Sequence, residues 1–457
     1  MNLNRYLDKF TYVYVGIVLL ILIYTVFSKP FALYDCYYTL GVMHHPFSVM
    51  VGDLLVNVHP PLYYFILKAF IYLFNPSNII YLSKLVSILP LVLILALIFT
   101  KVRKDFGCGV ACVFAILLAS SMQVMYYSSL VRMYSWALFF VTVQFVFAYD
   151  LIYSQDNRLS WAIFAAAGIC SAYTHYFAAA TSIIIYILLL LYLKRSQLKI
   201  WAAAVILSII AYIPWISIFL NQFGAVRDDF WIKPIAFNTI IEYFRFIFQP
   251  MDNIFGIVVA LLFIISFLVI FYLNFKDDGF DDDKSRFSLL LFSAIFLTMA
   301  LGIVLSILIR PIFIARYMLP ALGGFLLSFS ILLSNIRANS KVYNIILCIV
   351  IIFSICGVVG FCQQADIDYN HTLNDFEFLD SINSSDVVVF NDDLSQLRYE
   401  PYLNSTTLFA KDLNEIDGRY PDSKVVIFDK HKQADGLNYS IEKIGEIYQD
   451  QVYSVNG

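Results

Sequence analysis

Charge is scarce in this chain of 457 residues: 14% are Asp, Glu, Lys or Arg, and 61% are apolar. Such a composition excludes an ordinary soluble enzyme, and the mean hydropathy of +0.77 indicates a polytopic membrane protein. The seven cysteines lie mostly in apolar stretches, with none after Cys362. They offer neither a disulfide framework nor zinc-ligand spacing, and Cys108 and Cys112 read as small core residues. There is no repeat of two halves of the kind found in many transporters. Residues 365–457 hold 7 Lys/Arg against 18 Asp/Glu, whereas residues 1–364 hold 23 against 15. The acidic tail argues against nucleic acid or anionic lipid heads as partners. The change in charge places a domain boundary near Gln364.

What the chain does have is a series of long apolar runs. The first, Thr11–Phe27, is longer than a signal-peptide core and is followed by Lys29-Pro30, so it reads as a retained anchor helix. Leu62–Phe74 is too short for a span and reads as an interfacial or re-entrant helix. If it does not cross, later runs near 78–100, 108–126, 132–152, 160–174, 175–193, 199–220, 252–274, 286–309, 311–333 and 341–362 alternate cleanly, giving about eleven spans. Loops 101–104, 154–158, 194–199, 276–286 and 335–341 then share one side, and each contains Lys or Arg. By the positive-inside rule that side is the cytoplasm. The Asp277–Asp283 run within it reads as a solvated linker.

The opposite side then carries the chemistry. The stretch from Leu33 to Phe74 has Asp35 directly after the first span, then His44, His45, Asp53 and His59-Pro60-Pro61-Leu62-Tyr63-Tyr64. Ionisable groups beside a bilayer are costly, so a cluster of them marks a functional site. Residues 221–251 form a second outer loop, in which Phe237–Phe248 has the apolar spacing of an amphipathic interfacial helix with Glu242 and Arg245 on it. In the tail, Asp386–Phe390 and Lys424–Asp429 read as buried strands, with helices near Leu373–Ile382 and Leu394–Leu403. A soluble α/β domain over 365–457 follows.

Several of these segments, in order, resemble the GT-C glycosyltransferases, and within them the family of aminoarabinose transferases and protein O-mannosyltransferases. The similar segments are Asp35 with Tyr37-Tyr38, the His59–Tyr64 segment, Tyr126–Tyr134 with its Arg132-Met133-Tyr134, Thr174-His175-Tyr176, Pro214-Trp215, and Arg316-Tyr317 before Leu319-Pro320. They cover about 320 residues. The resemblance implies a helical GT-C bundle that moves a sugar from a polyprenyl- or dolichyl-phosphate carrier to a lipid, glycan or protein acceptor. The transfer would invert the anomeric carbon on the outer face of the plasma membrane.

Such a displacement needs a base for the acceptor hydroxyl and cations for the leaving phosphate. The resemblance assigns the base to Asp35. His59, Arg132, Arg245 and Arg316 are candidates for the donor phosphate, with Arg227, Lys233 and Arg310 as further outer cations. Asp53, Tyr63, Tyr134, His175 and Glu242 are possible supporting residues. A divalent metal is left open. The chain departs from the family where Cys36 follows Asp35 in place of a glutamate and where Leu130 replaces a second acid. Two other classes stay open: a polysaccharide polymerase or ligase, and a transporter or flippase of lipid-linked sugars.

Overall fold

The computed structural model describes residues 2–455 apart from 57, 154–157, 227–231, 417–419, 421–422, 434–435, 438 and 449. Arg227 and most of the 154–158 loop therefore lie outside the described residues. Helix α1 (Asn2–Ser28) is followed by three short helices, α2 (Tyr34–His44), α3 (Phe47–Val56) and α4 (Leu62–Phe74). Helix α5 (Ile79–Leu97) continues through a π-helical turn into α6 (Arg103–Phe106). Helices α7 (Cys108–Ser120) and α8 (Met122–Ser129) form one apolar stretch bent by 56°. Then come α9 (Tyr134–Tyr153), α10 (Arg158–Thr174), α11 (Tyr176–Leu189) and α12 (Leu198–Val226). Helix α13 (Phe237–Phe248) precedes α14 (Ile254–Asp278), α15 (Asp283–Leu308), α16 (Leu319–Asn335) and the 41-residue α17 (Ser340–Asp380).

Among the described residues, eight helices are long and apolar enough to cross a membrane, or nine if the bent α7–α8 pair is one span. The expected eleven spans add α10 and α11, which are shorter, at 17 and 14 residues. Two kinds of apolar helix are distinguishable by what covers them. Helix α16 is enclosed by the bundle from Leu319 to Leu333. Helices α12 and α14 expose Ile206, Ile209, Ile213, Leu261 and Leu268, as lipid-facing helices do. The loops expected on one side do gather at one end. There Arg103 pairs with Asp8, Tyr153 donates to the Asp283 carbonyl at 2.6 Å, and Tyr192 donates to the Arg286 carbonyl at 3.0 Å. The Asp-rich run is a helix–helix turn in which Asp282 caps α15, accepting from the backbone N–H groups of Lys284 and Ser285.

The composition break near Gln364 falls inside a helix. Helix α17 continues beyond the apolar region to Asp380 because residues 365–380 lack proline and glycine and keep packing partners: Lys29 meets Asp366 at 2.5 Å and Tyr126 donates to Asp368 at 2.7 Å. In the membrane part α17 lies so close to the α7–α8 bend that a Cβ on Gly357 would come within 2.1 Å of the Ser120 carbonyl oxygen. The tail then forms a five-stranded sheet in the order β2-β1-β3-β5-β4. Its strands are β1 (Val387–Phe390), β2 (Thr406–Phe409), β3 (Val425–Asp429), β4 (Ile441–Ile447) and β5 (Asp450–Val455), with α18 (Asp393–Tyr399) after β1. β1 is parallel to both β2 and β3, with Val387 opposite Thr406 and Val425. The two strands legible in the sequence are the fully buried central ones; β2 and β4 carry too few apolar residues to stand out.

Candidate active site

At the end of the bundle that bears the sheet domain, five interruptions of the helices converge. Non-helical backbone is tolerated at membrane depth only where protein encloses it or it lines a cavity. Each interruption here carries a polar side chain. Asp35 lies in the first turn of α2, where the helix dipole favours an anion. Arg132 lies in the irregular turn between α8 and α9, and His59 precedes α4. His175 caps α11, and Arg316 sits in the turn Ala315–Met318 that leads into α16.

The groups form one cluster. An Arg316 Nη2 atom stands 3.3 Å from Asp35 Oδ2. Arg132, buried, donates through Nη1 to the Asp35 carbonyl oxygen at 3.2 Å, to Thr39 Oγ1 at 3.1 Å and to the Tyr64 hydroxyl at 3.4 Å. Arg316 also lies over the Tyr134 ring, 5.6 Å from its centre. The His175 ring is 4.8 Å from Tyr317, 5.7 Å from Tyr134 and 6.2 Å from His59. Arg132 Nε and the Tyr134 hydroxyl are buried here without a hydrogen-bond partner. A buried donor left unsatisfied is costly, and a ligand oxygen would relieve it.

Electrostatics assign the protonation states. Burial would raise the Asp35 carboxyl, but Arg132, Arg316 and Arg398 together hold it below its ordinary value, so it is ionised at neutral pH. Burial pushes His175 down to about 3, helped by Arg316 and Arg132, and pushes His59 well down too, helped by Arg132, His175 and Arg316. Both imidazoles are therefore neutral. His175 Nδ1 accepts the Phe177 backbone N–H at 3.1 Å, which leaves its proton on Nε2 as a donor. One carboxylate amid the guanidiniums of Arg132, Arg316 and Arg398 suits an anionic ligand, not a divalent cation. Among the described residues the one group of three metal-type ligands is Asp8 with Cys108 and Cys112, at the far end of the bundle, and its carboxylate is held by Arg103.

Other expected residues are placed elsewhere. Arg245 donates through Nε to Gln249 at 2.7 Å and pairs with Asp252; it and Glu242 lie on the exposed face of α13, whose buried face is Tyr243, Phe246 and Ile247. Asp53 pairs with His45 at 2.8 Å and not with Asp35. Tyr63 shares a hydrogen bond with Ser87 at 3.1 Å, behind Tyr64. Cys36 and Leu130, standing where the family has acids, are buried, so neither position could hold a carboxylate without burying a charge. Sequence reading missed Lys84. Fully buried, it donates to the Phe31 carbonyl at 2.6 Å and the Ser129 carbonyl at 3.0 Å, stapling two of the chain breaks that frame the site. A lone cation inside the 78–100 run was the available signal.

From the His59, His175 and Tyr317 cluster an apolar cavity of about 850 Å³ runs between α10, α11, α12 and α15, past Gly168, Ile187 and Val205. Tyr317, next to Arg316, and the two histidines form its polar end, and an apolar groove with a few polar groups at one end suits a lipid with a polar head. The overall fold is shared with solved membrane-protein structures. Among solved structures the chain is similar to ArnT from Cupriavidus metallidurans, both in the apo state and bound to undecaprenyl phosphate. Each comparison has a TM-score of 0.68 and 10% identity over 98% of both chains. It is also similar to the arabinofuranosyltransferase AftD from Mycobacteria, with a TM-score of 0.50 and 12% identity, covering 98% of this chain and 40% of that one. No family model and no curated protein matches the sequence.

Proposed function

We propose that this protein is a membrane glycosyltransferase that moves a sugar from a polyprenyl-phosphate carrier to a hydroxyl of a lipid, glycan or protein acceptor, with inversion. The observation that carries this reading is the ionised Asp35 facing Arg316, with Arg132 behind it, in the cluster whose His59, His175 and Tyr317 line an apolar cavity suited to an isoprenoid chain. In the resting site the carboxylate occupies the arginine. A carrier phosphate competes for Arg316 and weakens its hold, which brings the Asp35 carboxyl closer to its ordinary range and frees it to face the acceptor. Asp35 then takes the hydroxyl proton as the acceptor oxygen bonds to the anomeric carbon. The bond from that carbon to the phosphate oxygen breaks, its electron pair leaves with the phosphate, and Arg132 and Arg316 stabilise the charge. His175 and His59, neutral, donate hydrogen bonds to the phosphate without adding charge.

The site end and the sheet domain are assigned to the extracytoplasmic face, because the other end carries the basic loops. Impermeant cysteine labelling of intact cells is expected to reach a reporter in the sheet domain and one in residues 35–60, but not one at 276–286. Labelling of the last position alone would reverse the orientation. The cavity gives a second check. Val205→Trp places bulk directly on the cavity wall formed by α12. It is expected to raise KM for long-chain carrier donors while sparing a short-chain analogue. An equal loss on both would place the chain elsewhere.

A further inference from the structure

The sheet domain does not stand clear of the cluster. Its helix α18 lies against α2 so closely that a Cβ on Gly41 would come within 2.0 Å of the Leu397 carbonyl oxygen. The contact centres on Tyr34, the residue before Asp35. The Arg398 guanidinium lies 3.5 Å from the Tyr34 ring centre, and the Tyr448 ring stacks on it at 3.6 Å and 17°. Two groups so near one ring centre must occupy its two faces. The Tyr34 hydroxyl accepts hydrogen bonds from Lys430 Nζ at 2.7 Å and from Arg398 Nη1.

The domain is built to present these three residues. Arg398 comes from the helix after β1, Lys430 directly follows β3, and Tyr448 lies in the β4–β5 turn, so all three rise from one end of the sheet. That end is where the parallel strands β1 and β3 finish, the edge from which α/β domains present working residues. Asn391 fixes the loop after β3, donating to Asp429 Oδ1 at 2.6 Å and accepting the Lys430 backbone N–H at 2.9 Å. Tyr448 has a left-handed backbone, φ +53°, which is uncommon for a tyrosine and holds its ring in this direction.

We infer that the sheet domain is a positioning element for the reacting carboxylate: Arg398, Lys430 and Tyr448 grip Tyr34, fix the first turn of α2, and so set where Asp35 points, with Arg398 adding a third cation beside it. The inference rests on the reading of Asp35 as the base; the grip itself does not. Asp35 is faced by Arg132 and Arg316 from the bundle and by Arg398 from the domain. Lys430 stands behind Tyr34 and is offset by Asp392 at 3.6 Å, while His59 and His175 are uncharged. Removing Arg398 takes away one of the charges that keep Asp35 ionised.

The test uses the full chain in lipid nanodiscs and reads Asp35 without requiring sugar transfer. Carbodiimide labels a protonated carboxyl, so its rate at Asp35, followed by peptide mass spectrometry at mildly acidic pH, reports the protonated fraction. In R398A the labelling is expected to rise by up to about tenfold, the effect of one pKa unit, with R398K close to wild type. The acid limb of the transfer rate should move to higher pH alongside it. In Y448A, which keeps every charge, kcat is expected to fall by about 10- to 100-fold, the loss typical of a misplaced reacting group, with KM for the donor little changed. Unchanged labelling and an unmoved acid limb in R398A would reduce the contact to domain docking and overturn the inference. If R398A does not accumulate, Y448A with wild-type kcat would overturn it equally. If no sugar transfer is found in the wild type, the proposed function fails while the labelling still reports on the grip.

Discussion

Asp35→Asn is expected to lower sugar transfer by about two to four orders of magnitude, the usual loss when a general base is removed. The substitution keeps the size of the side chain and its place in the first turn of α2, so the fold around it should hold. Carrier binding should survive and even tighten, because the aspartate is the anion that occupies Arg316 in the resting site. That opposed pair of outcomes, slower chemistry with stronger phosphate binding, is what distinguishes a base from a residue that holds the donor. Asp53→Asn should cost far less, since Asp53 is engaged with His45. Donor affinity and single-turnover rate, measured on the same preparations, check both. Near-normal transfer by Asp35→Asn would remove the mechanism.

Arg316→Ala is expected to act on the other substrate. Losing a charged hydrogen bond to a phosphate costs about 1.5–3 kcal/mol, or roughly 10- to 150-fold in carrier affinity. It should also move the acid limb of the pH–rate profile, and the sign follows from the charges. Arg316 is one of the cations holding the Asp35 carboxyl low, so without it the carboxyl protonates at higher pH. The base form is lost as pH falls through that raised value, so the limb shifts upward. Arg316→Lys keeps the charge but not the fork, and should restore the limb more fully than the affinity. Unchanged affinity and an unchanged profile in Arg316→Ala would place the phosphate elsewhere.

The helices were readable because long apolar runs leave few alternatives in a bilayer, and the short ones at Leu62–Phe74 and Phe237–Phe248 fell where spacing placed them. Asp35, His59, Arg132, His175 and Arg316, which the structure brings together, were singled out by the family resemblance and by their place at the borders of apolar runs. Arg245 and Glu242 had the same chemistry, but which face of α13 meets the bundle depends on packing that spacing alone does not reveal. Lys84 was passed over because a run of that length reads as a span whether or not it contains one lysine. The grip on Tyr34 was beyond the sequence altogether. It joins residues 34, 398, 430 and 448, and no local pattern ties a tyrosine to an arginine more than 360 positions away.

Helix α17 carries an implication for what this protein can reach. Its 41 residues make a rod about 60 Å long, roughly twice the hydrocarbon thickness of a bilayer. Its polar end, residues 365–380, has no proline or glycine at which to bend. The Thr372–Ala32 and Lys430–Tyr34 hydrogen bonds tie that end and the sheet domain back to the start of α2, beside Asp35. On the proposed function, an acceptor has to bring its hydroxyl in beneath that tie. A slender lipid or glycan chain could be threaded there, whereas a folded protein would have to offer an extended loop.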